Sequence, residues 1–478
     1  MKVIKNYLYN AGYQLLTVIL PLITTPYVTR VLTSQGYGIY SFTYANIQYF
    51  VLIAGLGLGI YGNREIAYRV GKNKQNEISN LFWELEILKI LSTAFSLAIF
   101  LLLMFVGIKY KSVMFIQAIN IIAVAFDISW FFMGLENFKI IVFRNTIIKL
   151  TSLMLIFIFV RTKNDINIYV LIMSSSVLFG NIITWPELKK ILKKPIIKEL
   201  HFLRHLKPSL VLFFPQIALQ LYVQLNKTML GILDSATSSG FYYSSDTMIR
   251  VILSIVTATG TVMLPHAAKA FSSGKIDKVK TMLYSSFDFI SFLSIPMAFG
   301  VAAVSLKMAP WFLGREYNAV GTIMMIESVI IILDAWGNAI GEQYLLPTNR
   351  NREYTFSILL GAITNTVINI PFIMLWGVNG AMIAYCASEF IVTFYQFYSV
   401  KSELNINFMF SNIFKYILSG LIMFIIVFRL NLIWKFNLIT LLLEIIIGIF
   451  IYIICIYILK PTILKKVSKL INRKEHKI

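Results

Sequence analysis

The sequence predicts an all-α integral membrane protein with about fourteen transmembrane helices. Of its 478 residues, 58% are hydrophobic and 14% are charged, and the mean hydropathy is +0.75. A soluble domain usually has about 25% charged residues. The apolar residues form successive runs of about 20, the length that a helix needs to cross a hydrocarbon core of roughly 30 Å. Lipid is therefore expected to surround most of the chain.

The apolar runs follow one another along the chain and are separated by charges or turn signals. The predicted spans cover residues 8–32, 38–60, 82–108, 112–134, 142–160, 166–185, 207–232, 240–264, 283–305, 318–340, 354–376, 379–400, 411–429 and 437–459. The first run follows Lys2 and Lys5 and lacks a signal-peptidase site. We therefore expect it to be retained as the first helix.

The basic residues predict the orientation of these spans. A formal net charge of +21 could indicate a nucleic-acid partner, but most of the 43 Lys and Arg lie in alternate loops and at the two termini. This positive-inside pattern predicts that both termini are cytoplasmic, and it removes the reason to expect nucleic acid. The richest segments, 187–206 and 461–478, are expected to contact anionic lipid.

The basic linker divides the chain into predicted domains. These are an N-terminal six-helix bundle (1–186), the cytoplasmic linker (187–206), a C-terminal six-helix bundle (207–402), two additional transmembrane helices (403–460) and a basic cytoplasmic tail (461–478). Because each bundle has an even number of helices, both insert in the same direction. The bundles are then related by a pseudo-two-fold axis along the membrane normal, which suits a transporter with a central cleft.

A weak internal repeat supports this division. At an offset of about 202 residues, Gly38-Ile39-Tyr40 aligns with Gly240-Phe241-Tyr242, and Gly71-Lys72 aligns with Gly274-Lys275. The aligned positions fall at equivalent points of the two predicted bundles.

Several chemistries are not expected from this sequence. It has no G-x-x-x-x-G-K-[ST] loop for ATP. Its two cysteines, Cys386 and Cys455, lie in apolar runs without disulfide or metal spacing. We therefore expect no enzymatic activity, catalytic residue, metal or cofactor, although coupling to a proton or sodium gradient or to the membrane potential is open. His201 and His205, in the basic linker, are interpreted as a solvated face.

Polar side chains recur at helical spacing in the spans that begin each half. Since ionisable groups are costly in a membrane, such positions usually face a cavity or a partner. The stripes are Gln216, Gln220, Gln224 and Lys227 in span seven, Tyr243, Asp246, Arg250, Ser254 and Thr257 in span eight, Tyr37, Tyr40, Tyr44 and Gln48 in span two, and Arg30 at the end of span one. A cleft lined by these residues would be cationic and aromatic, as an anionic substrate bearing sugars requires.

Other interpretations of these residues stay open. Asp246 and Arg250 could form a structural i, i+4 ion pair. Lys227 could snorkel to the surface, and Arg30 could be an interfacial anchor. Further carboxylates in or near the spans are candidates for carrying a proton or sodium ion: Asp127, Asp288, Glu327, Asp334, Glu389 and Glu444.

Ordered sequence blocks resemble the Wzx-type polysaccharide flippases. The blocks are Leu20-Pro21-Leu22-Ile23-Thr24-Thr25-Pro26-Tyr27-Val28-Thr29-Arg30-Val31-Leu32, Gly36-Tyr37-Gly38-Ile39-Tyr40-Ser41, Tyr61-Gly62-Asn63-Arg64-Glu65-Ile66-Ala67, Trp130-Phe131-Phe132-Met133-Gly134-Leu135-Glu136, Arg144-Asn145 with Lys149, Gln343-Tyr344-Leu345-Leu346-Pro347, and Asn365 and Asn369 before Gly377-Val378-Asn379-Gly380-Ala381. Thr33-Ser34 stands where the family commonly has Gly.

The resemblance implies a fold and a substrate class. The fold is that of the multidrug/oligosaccharidyl-lipid/polysaccharide exporters, in a bacterial cytoplasmic membrane. The implied substrate is an undecaprenyl diphosphate-linked oligosaccharide repeat, moved by alternating access to the outer leaflet for capsule, O-antigen or other surface polysaccharide. A polysaccharide polymerase and assembly proteins are candidate partners.

The resemblance and the polar stripes together give candidate site residues. Arg30, Lys227 and Arg250 are assigned to the diphosphate, and Tyr40, Tyr44, Gln220 and Gln224 to the glycan. Secondary polar or coupling roles are assigned to Arg64, Asp127, Lys149 and Asp246.

Two other functions compete with this prediction. A small-molecule or multidrug exporter on the same fold would favour an acidic cavity, against which the three cations argue. A membrane-embedded glycan polymerase or ligase would be expected to have a large catalytic outer loop, whereas the predicted outer loops are short.

Overall fold

A computed structural model describes residues 2–71, 75–106, 109–193 and 200–462 of the chain, and these ranges contain helices but no strand. The middle of the predicted linker (194–199), Lys72 of the internal repeat and the tail from 463 lie outside the described residues. The all-helical membrane fold is confirmed.

The helices are α1 (Lys2–Gly55), α2 (Leu58–Gly71), α3 (Gln75–Met104), α4 (Lys111–Gln117), α5 (Ile119–Ala125), α6 (Ser129–Gly134), α7 (Phe138–Phe159), α8 (Ile166–Ile182), α9 (Leu206–Leu233), α10 (Ala236–Ser272), α11 (Ile276–Leu313), α12 (Asn318–Glu327), α13 (Ile330–Ile340), α14 (Asn351–Val400), α15 (Ile406–Phe410), α16 (Ile413–Ile433) and α17 (Leu438–Leu459). Short 3₁₀ turns cover Trp185–Lys190, Phe202–His205 and Arg315–Tyr317, and a π-helical turn covers Gly341–Leu345.

Within the described ranges, nine helical segments are long and apolar enough to cross a membrane, or up to eleven if two bent pairs are counted. Two of the nine, Ile19–Val70 and Asn351–Val400, have 52 and 50 residues. Since a helix of about 20 residues crosses the hydrocarbon core, each is long enough for two crossings, and each covers two of the spans predicted from the sequence. The total of fourteen stays a prediction.

Backbone breaks divide the two long segments. In α1 the break is at Thr33, with φ 64° and ψ 174°, and in α14 it is at Gly377, with φ 56° and ψ −133°. A further break at Leu56 and Gly57, which also have positive φ, separates α1 from α2. Because these backbone angles are not helical, each break lets the chain change direction.

The chain forms two compact units, Met1–Gly240 and Phe241–Ile478. In the first unit, α1 packs against α3, α7 and α9. The aromatic side chains of Phe82, Trp130 and Phe131 are buried there. The inclusion of α9 in this unit follows from its contacts with α1.

In the second unit, α11 is the central helix, and it packs against α12, α13 and α16. The two additional C-terminal helices belong to this unit, since α17 packs on α16 and α11. Gly420 of α16 allows a close approach to the Phe299 ring of α11, because a Cβ there would lie 2.6 Å from that ring. The domain boundaries expected from the basic linker stay a prediction.

Candidate functional site

The polar stripes of spans two and seven face each other in the first unit. Gln48 of α1 and Gln220 of α9 place Oε1 and Nε2 3.5 Å apart. At the next residue of α1, and eight residues further along α9, the Tyr49 hydroxyl lies 3.3 Å from Thr228 Oγ1. The side-chain amide of Gln216 instead donates to the Leu212 carbonyl of its own helix, at 3.0 Å. The interface between α1 and α9 therefore carries part of the polar surface predicted for the site.

The start of α10 lies unusually close to α1. A Cβ on Gly240 would lie 2.6 Å from the Gly38 Cα, and one on Gly38 would lie 2.8 Å from the Thr237 Cα. The Ser41 hydroxyl is 3.0 Å from both the carbonyl oxygen and the hydroxyl of Ser239. The two glycines aligned by the internal repeat are thus the residues through which these helices touch.

The two cations assigned to the first unit have different surroundings. Lys227 of α9 is buried, with only 3% of its surface exposed. Arg30 of α1 is exposed and precedes the break at Thr33. Beside Lys227, Gln224 is also buried, and its Oε1 has no hydrogen-bond partner. A buried amide oxygen without a partner is costly, so this position is suited to a hydrogen-bond donor such as a sugar hydroxyl.

The tyrosines of span two form an aromatic column in α1. The Tyr40 ring stacks on Tyr37 at 6.0 Å and on Tyr44 at 5.6 Å, and it meets the edge of Tyr169 from α8 at 4.9 Å. Tyr40 is buried, whereas Tyr44 is half-buried. Of the two tyrosines assigned to the glycan, Tyr44 therefore offers the more accessible ring.

In the second unit, Asp246 and Arg250 form the i, i+4 ion pair that the sequence left as an alternative. Arg250 Nε donates to Asp246 Oδ1 at 2.8 Å. The carboxylate is nearly buried, with 9% of its side chain exposed, but 47% of the Arg250 side chain is exposed. The pair orients the guanidinium and leaves much of its surface accessible to an anion.

Three further carboxyl groups of the second unit gather around this pair. Glu327 of α12 interacts electrostatically with Asp246, Arg250 and Asp334. It accepts a hydrogen bond from the Ser245 hydroxyl, while its other oxygen is buried without a partner. The side chains of Asp334 of α13 and Glu389 of α14 also interact with each other. Because carboxylates close together in a buried site repel one another, this cluster is suited to holding a proton.

A second polar cluster, in the first unit, includes the predicted residue Asp127. Its Oδ1 accepts from the Ser129 backbone N–H at 3.0 Å. Lys89 donates to the Asp127 carbonyl, lies 3.5 Å from Glu86 Oε2 and stands 5.3 Å from the centre of a Trp130 ring. Glu86 and Lys89 were not among the predicted residues, although their spacing of three inside an apolar run could have identified them.

The remaining candidates lie apart from these clusters. Arg64 of α2 has a side chain that is 59% exposed, pairs with Glu65 at 3.5 Å and lies over the Tyr61 ring at 5.6 Å. Lys149 is half-buried in α7, and the Ser152 hydroxyl donates to its carbonyl.

The interpretation of the linker histidines as a solvated face is wrong for His205. This residue is 3% exposed, and its ring nitrogens lie 2.8 Å from the Tyr61 hydroxyl and 2.7 Å from Glu84 Oε2. The same carboxylate accepts from Arg204 Nη2 at 2.7 Å. No pattern in the sequence predicted that Glu84, in span three, would bind the linker residues Arg204 and His205.

Comparison with known proteins identifies the family. A model of a family described as "Polysaccharide biosynthesis protein" matches residues 3–271. The chain belongs to this family. The resemblance to polysaccharide flippases in the sequence blocks is thereby confirmed.

Relatives extend the match beyond this region. A "Putative O-antigen transporter" of Escherichia coli (strain K12) is 24% identical over 399 residues, which cover 81% of this chain and 94% of the relative. The "Lipid II flippase MurJ" of Bacillus subtilis (strain 168) is 24% identical over 157 residues, or 32% of this chain and 29% of that protein.

Solved structures show the same fold. A structure of "Lipid II flippase MurJ, inward closed conformation" has a TM-score of 0.74 at 16% identity and covers 96% of this chain and 100% of its own. An inward-facing multidrug resistance MATE family transporter of the MOP superfamily has a TM-score of 0.60 at 13% identity, with 80% and 97% coverage. The fold is therefore that of the MOP-type membrane transporters.

Proposed function

We propose that this protein is a flippase that moves polyprenyl diphosphate-linked oligosaccharide repeat units from the cytoplasmic to the outer leaflet for surface polysaccharide assembly. The observation that carries the proposal is the match to the O-antigen transporter, which extends over nearly the whole of that relative. Membership of the polysaccharide biosynthesis family supports the same cargo class.

The chemistry of the cargo explains why a protein is needed. A diphosphate would carry its charges through hydrocarbon, and the hydroxyl groups of the glycan would each lose hydrogen bonds to water, at several kcal/mol per unpaired group. A path lined by cations and hydrogen-bonding groups lowers both costs. The polyprenyl tail has no such barrier and can stay in lipid.

Particular residues are assigned to this path. Arg30, Lys227 and Arg250 bind the diphosphate, because each offers a cation on a polar helix face. Tyr40, Tyr44, Gln220 and Gln224 contact the glycan. The partnerless Gln224 Oε1 and the accessible part of Tyr44 support this assignment most directly.

Outward movement of the cargo can draw on two sources of free energy. An interior-negative membrane potential favours outward movement of anions by roughly 2.3 kcal/mol per charge per 100 mV. The carboxyl cluster of Asp246, Glu327, Asp334 and Glu389 is the candidate for coupling to a proton gradient. Sodium is the alternative coupling ion.

Reconstitution tests the proposal. Full-length protein is inserted into liposomes that contain a fluorescent polyprenyl diphosphate oligosaccharide, and a membrane-impermeant glycosidase is added outside. A flippase makes the inner pool accessible to the enzyme within the assay, whereas protein-free liposomes protect that pool. Protection of the inner pool in protein-containing liposomes, under an imposed potential or ion gradient, would contradict the proposal.

The buried carboxyl cluster favours one rival function, an ion-coupled exporter of cationic small molecules. The same liposomes loaded with ethidium distinguish the two. We expect no protein-dependent efflux of ethidium, and efflux that the lipid-linked oligosaccharide does not slow would favour the exporter.

A further inference from the structure

An amphiphilic cavity opens beside α7 and the end of α8 in the first unit. Its volume is about 490 Å³, within the range of small-molecule sites. Its lining includes four apolar side chains, Ile140, Phe143, Ile147 and Ile183, and four polar ones, Lys139, Arg144, Thr184 and Glu187. None of these residues belongs to the diphosphate and glycan sites assigned above.

The polar residues of the cavity lie where a lipid head group would be. Lys139 is the second residue of α7, and Arg144 is five residues further along, or about 7.5 Å deeper at the helical rise per residue. Thr184 and Glu187 follow the C-terminal end of α8. The start of α7 and the end of α8 therefore meet at the cavity. Each helix belongs to an apolar segment that is long enough to cross the membrane.

The apolar wall continues from the cavity along the outside of both helices. Phe143 is 66% exposed and Ile183 is 58% exposed. Further along, Met154 of α7 and Phe179 of α8 are also largely exposed, at 65% and 66%. In a membrane such surfaces contact lipid chains. The cavity is therefore continuous with an apolar surface on which an acyl chain can lie.

The charged groups of the cavity favour a phosphate. Two cations and one carboxylate give the lining a formal net charge of +1. Three of the oxygens that orient Arg144 belong to neutral side chains: its Nε donates to Asn145 Oδ1 at 2.9 Å, and its Nη1 donates to Ser129 Oγ at 3.2 Å and to Asn181 Oδ1 at 3.4 Å. A guanidinium fixed in this way loses little freedom on binding a phosphate oxygen.

We propose that this cavity binds an anionic phospholipid of the surrounding bilayer, with its phosphate at Lys139 and Arg144 and an acyl chain along Ile140, Phe143 and Ile147. The bound lipid would bridge α7 and the end of α8. By the predicted orientation, it would come from the cytoplasmic leaflet. This site is separate from the cargo path, so it stands whether or not the proposed function is correct.

Native mass spectrometry of the purified full-length protein, titrated with phosphatidylglycerol, tests the site. Each basic residue near a membrane surface contributes about a fivefold change in affinity for anionic lipid. The double variant Lys139→Gln, Arg144→Gln is therefore expected to bind phosphatidylglycerol at this site about 25-fold more weakly. Glu187→Gln is expected to change affinity in the opposite direction, about fivefold tighter, because it removes the negative charge of the lining.

Two further variants separate the cavity from general effects. Ile183→Trp fills the cavity without changing charge and is expected to weaken binding. Lys163→Gln, an exposed lysine in the loop at the other end of α7, is expected to have no effect.

Three results would overturn the proposal. One is unchanged phosphatidylglycerol binding in both the double variant and Ile183→Trp. Another is an equal loss in Lys163→Gln, which would indicate nonspecific adsorption. The third is displacement of phosphatidylglycerol by an equimolar polyprenyl phosphate, which would assign the cavity to the cargo.

Discussion

At the scale of single residues, Thr33 has a backbone conformation that is unfavourable for its type. Its φ of 64° and ψ of 174° belong to a region that is populated almost only by glycine, and a non-glycine residue there costs on the order of 1–3 kcal/mol. The Wzx-type flippases that the sequence resembles commonly have Gly at this position. The strain lies between Arg30 and the tyrosine column of the same helix.

Thr33→Gly is therefore expected to stabilise the protein. Relief of strain on the order of 1–3 kcal/mol exceeds the entropic cost of glycine, about 0.5–1 kcal/mol. The melting temperature in detergent, measured by scanning fluorimetry, should rise. Thr43→Gly, in the regular part of the same helix, should lower it, and a lower melting temperature for Thr33→Gly would contradict the interpretation of strain.

The cations assigned to the diphosphate also make predictions at this scale. Lys227→Ala is expected to reduce flipping in liposomes at least tenfold, the effect of losing one charge-assisted hydrogen bond of about 1.5–3 kcal/mol. Lys227→Arg should retain part of the activity because it keeps the positive charge. Equal activity of Lys227→Ala and the wild type, at matched protein levels, would remove Lys227 from the site.

A test of Arg250 needs a double variant, because Arg250 also forms an ion pair with Asp246. Arg250→Gln alone leaves a nearly buried carboxylate without its partner, which destabilises the protein. The double variant Asp246→Asn, Arg250→Gln removes both charges and should recover the melting temperature while flipping stays low. Recovery of both stability and flipping would show that Arg250 has only a structural role.

At the scale of helices, the contact between α1 and the start of α10 depends on glycine. The two backbones approach at Gly38 and Gly240 so closely that a Cβ on Gly240 would lie 2.6 Å from Gly38 Cα. The hydroxyls of Ser41 and Ser239 then lie 3.0 Å apart. Small residues with short polar groups are typical of close helix contacts in membranes.

Gly38→Ala is expected to destabilise the protein by about 1–3 kcal/mol, the usual cost of inserting a methyl group into a packed contact. Gly59→Ala is the matched control, because no atom would lie within 4 Å of its Cβ. It should leave stability unchanged or raise it slightly, since alanine is the better helix former. The two free energies of unfolding can be compared in one denaturant series, and equal effects would contradict the close contact.

The helices also show what a hydropathy pattern can predict. Long apolar runs identified the segments that cross the membrane, because the need to satisfy backbone hydrogen bonds in lipid leaves helices as the only local solution. The apolar runs predicted separate spans on either side of Thr33 and Gly377. They could not show that each pair of spans forms one long helix with a kink at that residue. That outcome depends on the backbone angles of one residue.

The candidate site was less predictable than the fold. Spacing identified the polar faces of α1 and α9 and the Asp246–Arg250 pair. It could not show that Glu327, Asp334 and Glu389, which are far apart in sequence, gather around that pair, nor that His205 is buried against Glu84. Such contacts depend on tertiary packing between helices.

At the scale of the whole molecule, the carboxyl cluster is the candidate link between an ion gradient and transport. Glu327 is fully buried and has one oxygen without a hydrogen-bond partner, and it interacts with the neighbouring carboxyl groups of Asp246 and Asp334. A cluster of this kind can take up and release a proton when access changes between the two sides.

Glu327→Gln, which mimics a protonated carboxyl group, tests this role. The variant should still equilibrate lipid-linked oligosaccharide between the leaflets but should no longer accumulate it in response to a pH gradient. Glu316→Gln, at an exposed position, should behave as the wild type. Accumulation driven by the pH gradient in the Glu327 variant would exclude this residue from coupling.

The central claim is that this protein carries a lipid-linked glycan out of the cytoplasmic leaflet. The most direct test is deletion of its gene in the host, followed by mass spectrometry of polyprenyl diphosphate-linked repeats with a leaflet-restricted glycosidase. We expect single repeats to accumulate on the cytoplasmic leaflet while surface polysaccharide disappears, and we expect wild-type protein but not Lys227→Ala to restore export. Accumulation of single repeats on the outer leaflet would instead place the defect in polymerisation or ligation and contradict the account.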